Sequence, residues 1–197
     1  MGSYIEEFQK EGRTKESSVV VTVDGPSGAG KDTLAEYIAS EMGLVHFSAS
    51  DVFYSIAEER GISHVELANR ADKQVDLEVD RRTLERGLEN NCVIDSRIAS
   101  WVLGDYSDLR IHVTADLEER AKRIAVREDQ EFEEALEQTR ERDKENSRRY
   151  SDYYGIDTQD LEIYDLLIDN TEMSIQDQHE NIDEVLKKKF PERVSSD

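Results

Sequence analysis

The chain has 197 residues, enough for one domain with a sizeable core but cramped for a second. It carries 46 acidic against 25 basic residues, so the net charge of -21 disfavours nonspecific binding to nucleic acid or to an anionic membrane. Any polyanion bound by this protein therefore needs positive side chains gathered at one place.

The composition also bears on the compartment. An acidic surface with more arginine than lysine suits very high salt, where screening weakens self-repulsion, and we favour a halophilic protein over an ordinary acidic one. The single cysteine, Cys92, cannot form an intramolecular disulfide, so we expect a reducing, cytoplasmic compartment and a small buried thiol. No apolar run approaches the roughly 18–20 residues that span a membrane, and we find neither a signal peptide nor a myristoylation motif.

Residues 1–17 are polar and of mixed charge, and we interpret them as a disordered or partly helical tail. Beyond them, short apolar runs recur between segments with helical periodicity. Five such strands separated by helices predict an α/β fold built on a five-stranded parallel sheet. The runs cover 19–24, 44–48, 92–96, 109–114 and 165–170.

The first run leads into "DGPSGAGKDTLAEYIA", a glycine-rich turn followed by a helical pattern. Leu34, Ile38 and Met42 share one face of the predicted helix, and Gly43 supplies its end. The glycines let the backbone wrap so that successive N–H groups face phosphate oxygens, and Lys31 reaches the β- and γ-phosphates. Strand, turn and helix together predict a phosphate-binding loop, against the alternative of a plain glycine turn.

Asp32 follows the lysine where many phosphate-binding loops carry a magnesium-binding hydroxyl. Thr33 supplies a hydroxyl one position later, and our hypothesis is that it contacts phosphate. Asp32 falls in the first helical turn, where the helix dipole favours an anion, and it is expected to hold a Mg²⁺-bound water opposite Asp95. The alternative is a capping role alone.

The third run ends in "VIDSR", which puts Asp95 at the carboxyl end of a strand and Arg97 two residues further on. A carboxylate there can hold Mg²⁺ directly or through its waters; the alternative is a cap on the next helix. Arg97 is suited to clamp a second phosphate, and the alternative is a surface salt bridge.

Two long stretches interrupt the strand pattern. Residues 51–91 are helical throughout and predict an insertion. Residues 116–164 are strongly charged, and four arginines fall within ten residues of "TRERDKENSRRYSDYYGID". Arginines on a mobile flap can close over a triphosphate and neutralise charge on the transferred phosphoryl group. We expect about two of the four to be catalytic and the others to pair with glutamates; they are Arg140, Arg142, Arg148 and Arg149.

Several segments together resemble the archaeal-type cytidylate kinases, which are nucleoside monophosphate kinases. They include "GPSGAGKDT", "FSASDVFYSIAEERGIS", "VIDSRIASWVL", "DLRIHVTADLEERAKRIAVRE" and "SRRYSDYYGID", and the similarity covers 19–186. The resemblance implies an adenylate kinase-like P-loop NTPase fold, with a monophosphate-binding insertion after the second strand and a lid before the fifth. The corresponding boundaries are 18–190 for the kinase domain, about 50–91 for the insertion, about 128–160 for the lid and 191–197 for a tail.

The same resemblance implies the reaction ATP + CMP to ADP + CDP, with dCMP also accepted and Mg²⁺ as cofactor. The residues that it assigns to ATP are Gly25, Pro26, Ser27, Gly28, Ala29, Gly30, Lys31, Asp32, Thr33 and, along the adenine, Arg123. The residues expected at the acceptor are Ser48, Asp51 and Arg97, which the resemblance assigns, and Tyr54, which departs from it. The expected catalytic cations are Lys31, Arg97, Arg142 and Arg149, and the expected metal residues are Asp32 and Asp95.

The acceptor site departs from related kinases, in which an arginine and a glycine are common at the positions of Tyr54 and Ser50. Tyrosine can hydrogen-bond a phosphate or stack on a base, but it cannot replace a bidentate guanidinium. Asp76, Glu78 and Asp80 are either acceptors for the amino group of cytosine or a salt-bridged helix face.

The acceptor phosphate is already a competent nucleophile, so the reaction needs no general base. We therefore expect no catalytic histidine among His46, His64, His112 and His179. One alternative function is a kinase for another acceptor, such as AMP, UMP or a sugar or coenzyme precursor. Another is a nucleotide-dependent switch or assembly ATPase, for which the sequence indicates no particular protein partner.

Overall fold

Five parallel strands form one sheet at the centre of the protein, in the order β2-β3-β1-β4-β5. The computed structural model describes residues 19–63, 66–67, 73–89 and 91–194. The strands are β1 (Val20–Asp24), β2 (Val45–Ser48), β3 (Cys92–Ser96), β4 (Leu109–Thr114) and β5 (Leu166–Asp169). These bounds confirm the five predicted strands and the parallel α/β fold. All residues of β1 are buried, as expected for a central parallel strand covered on both faces.

Seven α-helices connect or follow these strands in the described part of the chain. They are α1 (Lys31–Met42), α2 (Ala49–Glu59), α3 (Lys73–Glu89), α4 (Ala99–Leu103), α5 (Leu117–Glu128), α6 (Phe132–Tyr154) and α7 (Ile175–Lys189). Helix α1 buries Leu34, Ile38 and Met42 and ends at Gly43, which adopts a left-handed conformation. The predicted glycine stop is thus confirmed.

Apolar side chains cover the sheet on both faces because successive residues of a strand point in opposite directions. On one face, Val21 and Val23 of β1 pack with residues of α1 and α7, including Ile182. On the other face, Val20 and Ile94 pack with residues of α3, α4 and the end of α6. The fold therefore has three layers, a sheet between two sets of helices.

The carboxyl ends of the strands meet at one edge. The last residue of β1, Asp24, is paired in register with Ser96 of β3 and with His112 of β4. Because the strands are parallel, the loops that follow β1, β3 and β4 emerge side by side. Ligands of open α/β sheets bind at this edge.

Helix α6 occupies most of the segment predicted as the lid. Its first turns pack against α5 through a small cluster that includes Ala121, Ile124 and Ala135. Its end places Tyr154 on the α3 side of the sheet core. This helix therefore contacts α3, which lies in the predicted monophosphate-binding insertion.

The ends of the chain fall partly outside the described residues. The tail predicted at 1–17 lies wholly outside them, as do 195–197. Val194 belongs to the segment that the sequence assigned to a tail, yet its side chain is only 7% exposed and packs in the α1/α7 side of the core. Among the described residues, no helix has the length and apolar character that crossing a membrane requires.

Truncation of the β4 core should cost much of the stability. Ile111 is fully buried, so Ile111→Ala should lower the free energy of unfolding by about 2–5 kcal/mol through lost burial and a residual cavity. The matched control is Val126→Ala on α5, where the side chain is 85% exposed and the change should stay within about 0.5 kcal/mol. Urea unfolding at fixed KCl measures both, and equal effects would contradict the assigned core.

Candidate active site

The glycine-rich turn wraps tightly between β1 and α1. Gly25 and Gly30 have φ angles of 147° and 97°, which only glycine adopts readily. Their surroundings also exclude a side chain: a Cβ on Gly25 would lie 2.0 Å from the Val113 carbonyl oxygen, and one on Gly30 would lie 2.5 Å from Asn170 Nδ2. The loop therefore has the close approach and curvature of a phosphate cradle.

Lys31 lies inside the curl of this loop, and its Nζ donates to the Pro26 carbonyl oxygen over 2.9 Å. Burial, together with the charge of Arg97, lowers the pKa of Lys31 to about 8. Nearby Asp95, Asp24 and Asp32 act in the opposite direction. A desolvated ammonium in a backbone cradle is arranged to bind an anion.

Side chains from beyond β4 and β5 hold the loop from outside by binding its carbonyl groups. Asn170 Nδ2 donates to the Ala29 carbonyl oxygen over 2.8 Å, and Arg120 Nη1 donates to that of Ser27 over 3.2 Å. Arg123 donates to the Gly28 carbonyl oxygen over 3.4 Å and to that of Asn170 over 2.7 Å. These bonds engage the carbonyl groups of the loop and hold its curvature. The adenine contact of Arg123 stays a prediction.

Asp95 lies one residue before the end of β3, and His46 on β2 contacts it. His46 Nε2 lies 2.9 Å from one Asp95 carboxylate oxygen, and the Ser48 hydroxyl donates to the other over 3.4 Å. Asp32 Oδ1 lies 4.0 Å from His46 Nε2. One ligand atom each from Asp32, His46 and Asp95 fall within 4.8 Å of one another. The three groups can surround a cation.

The electrostatics of this group favour a cation as well. Burial and the neighbouring carboxylates of Asp95 and Glu36 raise the pKa of Asp32. The hydrogen bond to Asp95 raises the pKa of His46. Asp95 is not a cap for the next helix, because Asp24 accepts the first N–H groups of α4 instead. The capping alternative for Asp95 is therefore wrong.

Arg97 points into the site. Its Nη2 donates to the Ser27 hydroxyl of the loop over 2.7 Å, and burial lowers the pKa of its guanidinium. The surface salt bridge considered from the sequence is thus not its arrangement.

Beside Arg97 opens a cavity of about 210 Å³, walled by the phosphate loop, the end of β4, α6 and the segment before β5. Most of its lining groups are neutral hydrogen-bonding side chains, and two are arginines. The lining residues are Gly25, Pro26, Arg97, His112, Thr114, Arg120, Asp143, Asn146, Ser147, Tyr150, Thr158 and Tyr164.

The four lid arginines divide into two pairs. Arg140 and Arg148 bind acidic residues of their own helix three or four positions away, as a solvated helix face does. Arg142 lies close enough to Arg97 for its charge to add to burial in lowering the pKa of Arg97. Arg149 forms an ion pair with Asp76 of α3. The two arginines with neighbours outside α6 are those that the resemblance assigned to catalysis, and their catalytic role stays a prediction.

The expected acceptor residues lie on or beside α2. The Ser48 hydroxyl caps α2 by accepting from the Ser50 N–H over 3.2 Å. Asp51 and Tyr54 lie on the exposed side of α2, and Tyr54 is 52% exposed. Contacts with a ligand at these residues stay a prediction.

The acidic residues of α3 are engaged with other side chains. Asp76 pairs with Arg149, Glu78 pairs with Arg60 and with Arg82, and Asp80 accepts from the Tyr154 hydroxyl. This arrangement favours the salt-bridged helix face over the alternative, in which these residues accept hydrogen bonds from the cytosine amino group.

Several residues of the site were not singled out from the sequence. Asp24, Arg120, Tyr164 and Asn170 are spread over residues 24–170 and come together only because parallel strands end at one edge. Two of the histidines lie at the site, His46 beside Asp95 and His112 in the cavity wall, and the sequence predicted neither position. His64 lies outside the described residues. The only available signal was that His46 and Asp24 fall at or near strand ends.

The sheet order, the glycine loop and the lysine define a P-loop kinase fold. Among solved structures, a shikimate kinase from Bacteroides thetaiotaomicron matches with a TM-score of 0.58 and 15% identity, over 86% of this chain and 96% of that one. An uncharacterised protein from Eubacterium ventriosum matches with a TM-score of 0.67 and 16% identity, over 86% of this chain and 99% of that one. At these identities the likeness concerns the fold alone.

The sequence carries a narrower assignment. The sequence model of the cytidylate kinase-like family matches residues 20–172, so the chain belongs to that family. A cytidylate kinase of Haloarcula marismortui is 45% identical over 76% of this chain and 80% of its own length. One of Ignicoccus hospitalis is 44% identical over 78% of this chain and 91% of its own length.

Asp80 should make stability depend on pH. Burial raises its pKa to about 7, although the Tyr154 hydrogen bond opposes that shift. Because this pKa lies above the ordinary value of 3.8, folding takes up a proton, and the protein should lose stability as the pH rises from about 4 to about 7.

Asp80→Asn removes this titration while keeping an acceptor for Tyr154. The variant should match the parent protein near pH 4 and exceed its free energy of unfolding above pH 7 by an amount on the order of a few kcal/mol. Urea unfolding at both pH values and one KCl concentration measures this. A difference between the two proteins that does not change with pH would contradict it.

Proposed function

We propose that this protein transfers the γ-phosphoryl group of ATP to CMP, giving ADP and CDP. The observation that carries the proposal is the family match over 20–172, which spans the phosphate loop, the insertion and the lid together. Its relatives named cytidylate kinases cover most of this chain. The geometry supports a kinase because the ammonium and guanidinium groups converge at the edge of the sheet where the loop lies.

In this reaction a CMP phosphate oxygen forms a bond to the γ-phosphorus while the bond from that phosphorus to the β-bridging oxygen breaks. The electron pair of the broken bond leaves with ADP. The protein therefore has little covalent chemistry to perform, and holding two polyanions in line supplies most of the catalysis. Lys31 and Arg97 stand at the site, the charge of Arg142 acts on Arg97, and Arg149 of the same helix pairs with Asp76 of α3. In the proposal these four groups balance the charge of the transferred phosphoryl group.

Mg²⁺ is part of the proposal. Asp32 and Asp95 offer carboxylate oxygens, the ligand type that Mg²⁺ prefers, and their mutual repulsion is what a cation relieves. When bound, Mg²⁺ would neutralise charge on the β- and γ-phosphates. His46 orients Asp95 through the 2.9 Å contact between them. Thr33, exposed in the first turn of α1, is the hydroxyl proposed to meet phosphate.

The proposal has three further parts. We infer acceptance of dCMP from the family resemblance and a cytoplasmic site of action from the use of ATP and CMP. We infer a halophilic protein from the net charge of -21, since screening at high salt weakens the repulsion among so many carboxylates.

The proposal predicts which acceptor supports ADP release. In a coupled assay at low and high KCl, CMP and dCMP should each release ADP well above the rate with ATP alone, and AMP or UMP should support less. ADP release only with AMP or UMP would overturn the cytidylate assignment. Phosphate release from ATP alone, unchanged by any acceptor, would indicate a switch ATPase instead.

Lys31→Ala supplies the control for that assay. Loss of one preorganised electrostatic group at the transferring phosphoryl should lower kcat by about 10²–10³. Near-full turnover by the purified variant would remove Lys31 from the mechanism.

The metal proposal has its own prediction. Asp32→Ser should raise the Mg²⁺ concentration required for half-maximal activity and weaken Mn²⁺ binding measured by paramagnetic resonance with a nucleotide present. The matched control is Glu36→Gln, which removes a nearby charge of the same helix but not a proposed ligand. An unchanged metal dependence in Asp32→Ser would leave Asp32 with a capping role.

A further inference from the structure

Asp24 is a fully buried carboxylate at the end of β1, one residue before the phosphate loop. A charged group in the interior is costly unless its hydrogen-bonding capacity is met. Its partners therefore indicate what the carboxylate does.

Both oxygens of Asp24 are saturated. Oδ1 accepts from the Ala99 N–H over 2.8 Å and lies 3.5 Å from the Ser96 hydroxyl. Oδ2 accepts from the Ser100 N–H over 2.9 Å and from the Tyr164 hydroxyl over 3.1 Å. A carboxylate offers about four acceptor positions, so these donors leave none for a metal ion or a substrate proton. Asp24 is thus neither a general base nor a ligand.

The first pair of partners controls the turn that carries Arg97. Ala99 and Ser100 open α4, and their N–H groups have no partner within that helix. The Ser96 hydroxyl also accepts from the Ile98 N–H over 2.9 Å, so the turn is tied on both sides of Arg97. From this turn the Arg97 guanidinium reaches the Ser27 hydroxyl over 2.7 Å.

The remaining partner controls the opposite wall of the cavity. Tyr164 precedes β5, and its ring lies 5.0 Å from that of His112 between centroids. Both rings line the cavity beside Arg97. With its hydroxyl held by Asp24, Tyr164 has a defined position although it comes from a segment without regular structure.

We infer that Asp24 is a positioning residue for phosphoryl transfer, holding Arg97 and Tyr164 at the two sides of the cavity without touching the substrates. The inference rests on the proposed function, since it assigns Arg97 to the transferring group. It goes beyond that function by locating the control of the site in the strand that precedes the phosphate loop. The raised pKa of Asp24, caused by burial and opposed by its donors, agrees with an enclosed position.

Asp24→Asn is the first test. Asparagine keeps one acceptor oxygen but turns an NH₂ group toward donors, so the turn at Arg97 must shift. A misplacement near 1 Å costs about 10²-fold in rate, and we expect kcat/KM for CMP to fall by about 10–100-fold. The loss should appear in kcat and in KM for CMP, whereas the Kd for ATP should change less than threefold.

Thr22→Val is the matched control for a structural role. Thr22 lies in the same strand, is equally buried, and its hydroxyl contacts Ser100 Oγ at 2.8 Å and Ser107 Oγ at 2.9 Å. This variant should lower the thermal midpoint yet keep kcat/KM within threefold of the parent. If Asp24→Asn and Thr22→Val lose stability and activity in the same proportion, the positioning role is overturned.

A double-mutant cycle decides whether Asp24 acts through Arg97. In the Arg97→Ala background, Asp24→Asn should lower kcat/KM by no more than Tyr164→Phe lowers it in the parent protein. The contribution that Asp24 makes through Arg97 is already lost in that background. If the fold losses in kcat/KM of Asp24→Asn and Arg97→Ala multiply in the double variant, the inference is overturned. If Asp24→Asn does not fold, Tyr164→Phe and Ser96→Ala replace it, because each removes one donor to Asp24. Both should lower kcat/KM more than Thr22→Val does. Losses no larger than that of Thr22→Val would also overturn the inference.

The two proposals fail differently. If the parent protein releases no ADP with CMP, the proposed function fails, and the same cycle is then run with the acceptor that does. If the parent is active and Asp24→Asn behaves like Thr22→Val, only the role of Asp24 fails.

Discussion

The site depends on two positively charged side chains, Lys31 and Arg97, that are held close together despite their repulsion. Lys31 lies in the curl of the phosphate loop with Arg97 nearby, and that charge together with burial lowers the pKa of the lysine to about 8. The charges of Asp95, Asp24 and Asp32 oppose this lowering of the lysine pKa. Such a site favours the binding of polyanions. In a protein with a net charge of -21, polyanions can bind only where positive side chains outnumber negative ones locally.

The carboxylates that offset these cations do different work because their surroundings differ. Asp24 is enclosed and saturated by donors, so it can only organise the turn before α4 and the segment before β5. Asp95 keeps His46 and Ser48 as neighbours and lies within reach of Asp32, which suits a cation. Hydrogen-bond partners, rather than residue type, distinguish Asp24 from Asp95, the residue proposed to hold Mg²⁺.

Helix α6 gives the site its other wall and also contacts helix α3. Asp143 and Tyr150, two turns apart, line the cavity, and Arg149 and Tyr154 bind Asp76 and Asp80 of α3. One helix therefore links the cavity wall to the segment that is proposed to hold the monophosphate.

Sequence patterns were sufficient wherever the determining interactions are local. Strand runs, the helical face of Leu34, Ile38 and Met42, and the glycine stop at Gly43 follow from periods of two and 3.6 residues and from backbone conformation. They were insufficient at the carboxyl edge, where Asp95 and Asp24 are both acidic residues near a strand end. The sequence favoured Asp95 but left a helix cap open, and the cap proved to be Asp24.

By itself, the sequence determined the parallel α/β fold and the phosphate loop, because each depends on neighbouring residues. Only the tertiary structure decided that Asp24 contacts Tyr164, 140 positions away, and that His46 contacts Asp95. It also decided which lid arginine pairs with a residue of another helix. The reason is geometric. A parallel sheet brings distant strand ends to one edge, and which side chains touch there depends on strand order and register, neither of which any short segment encodes.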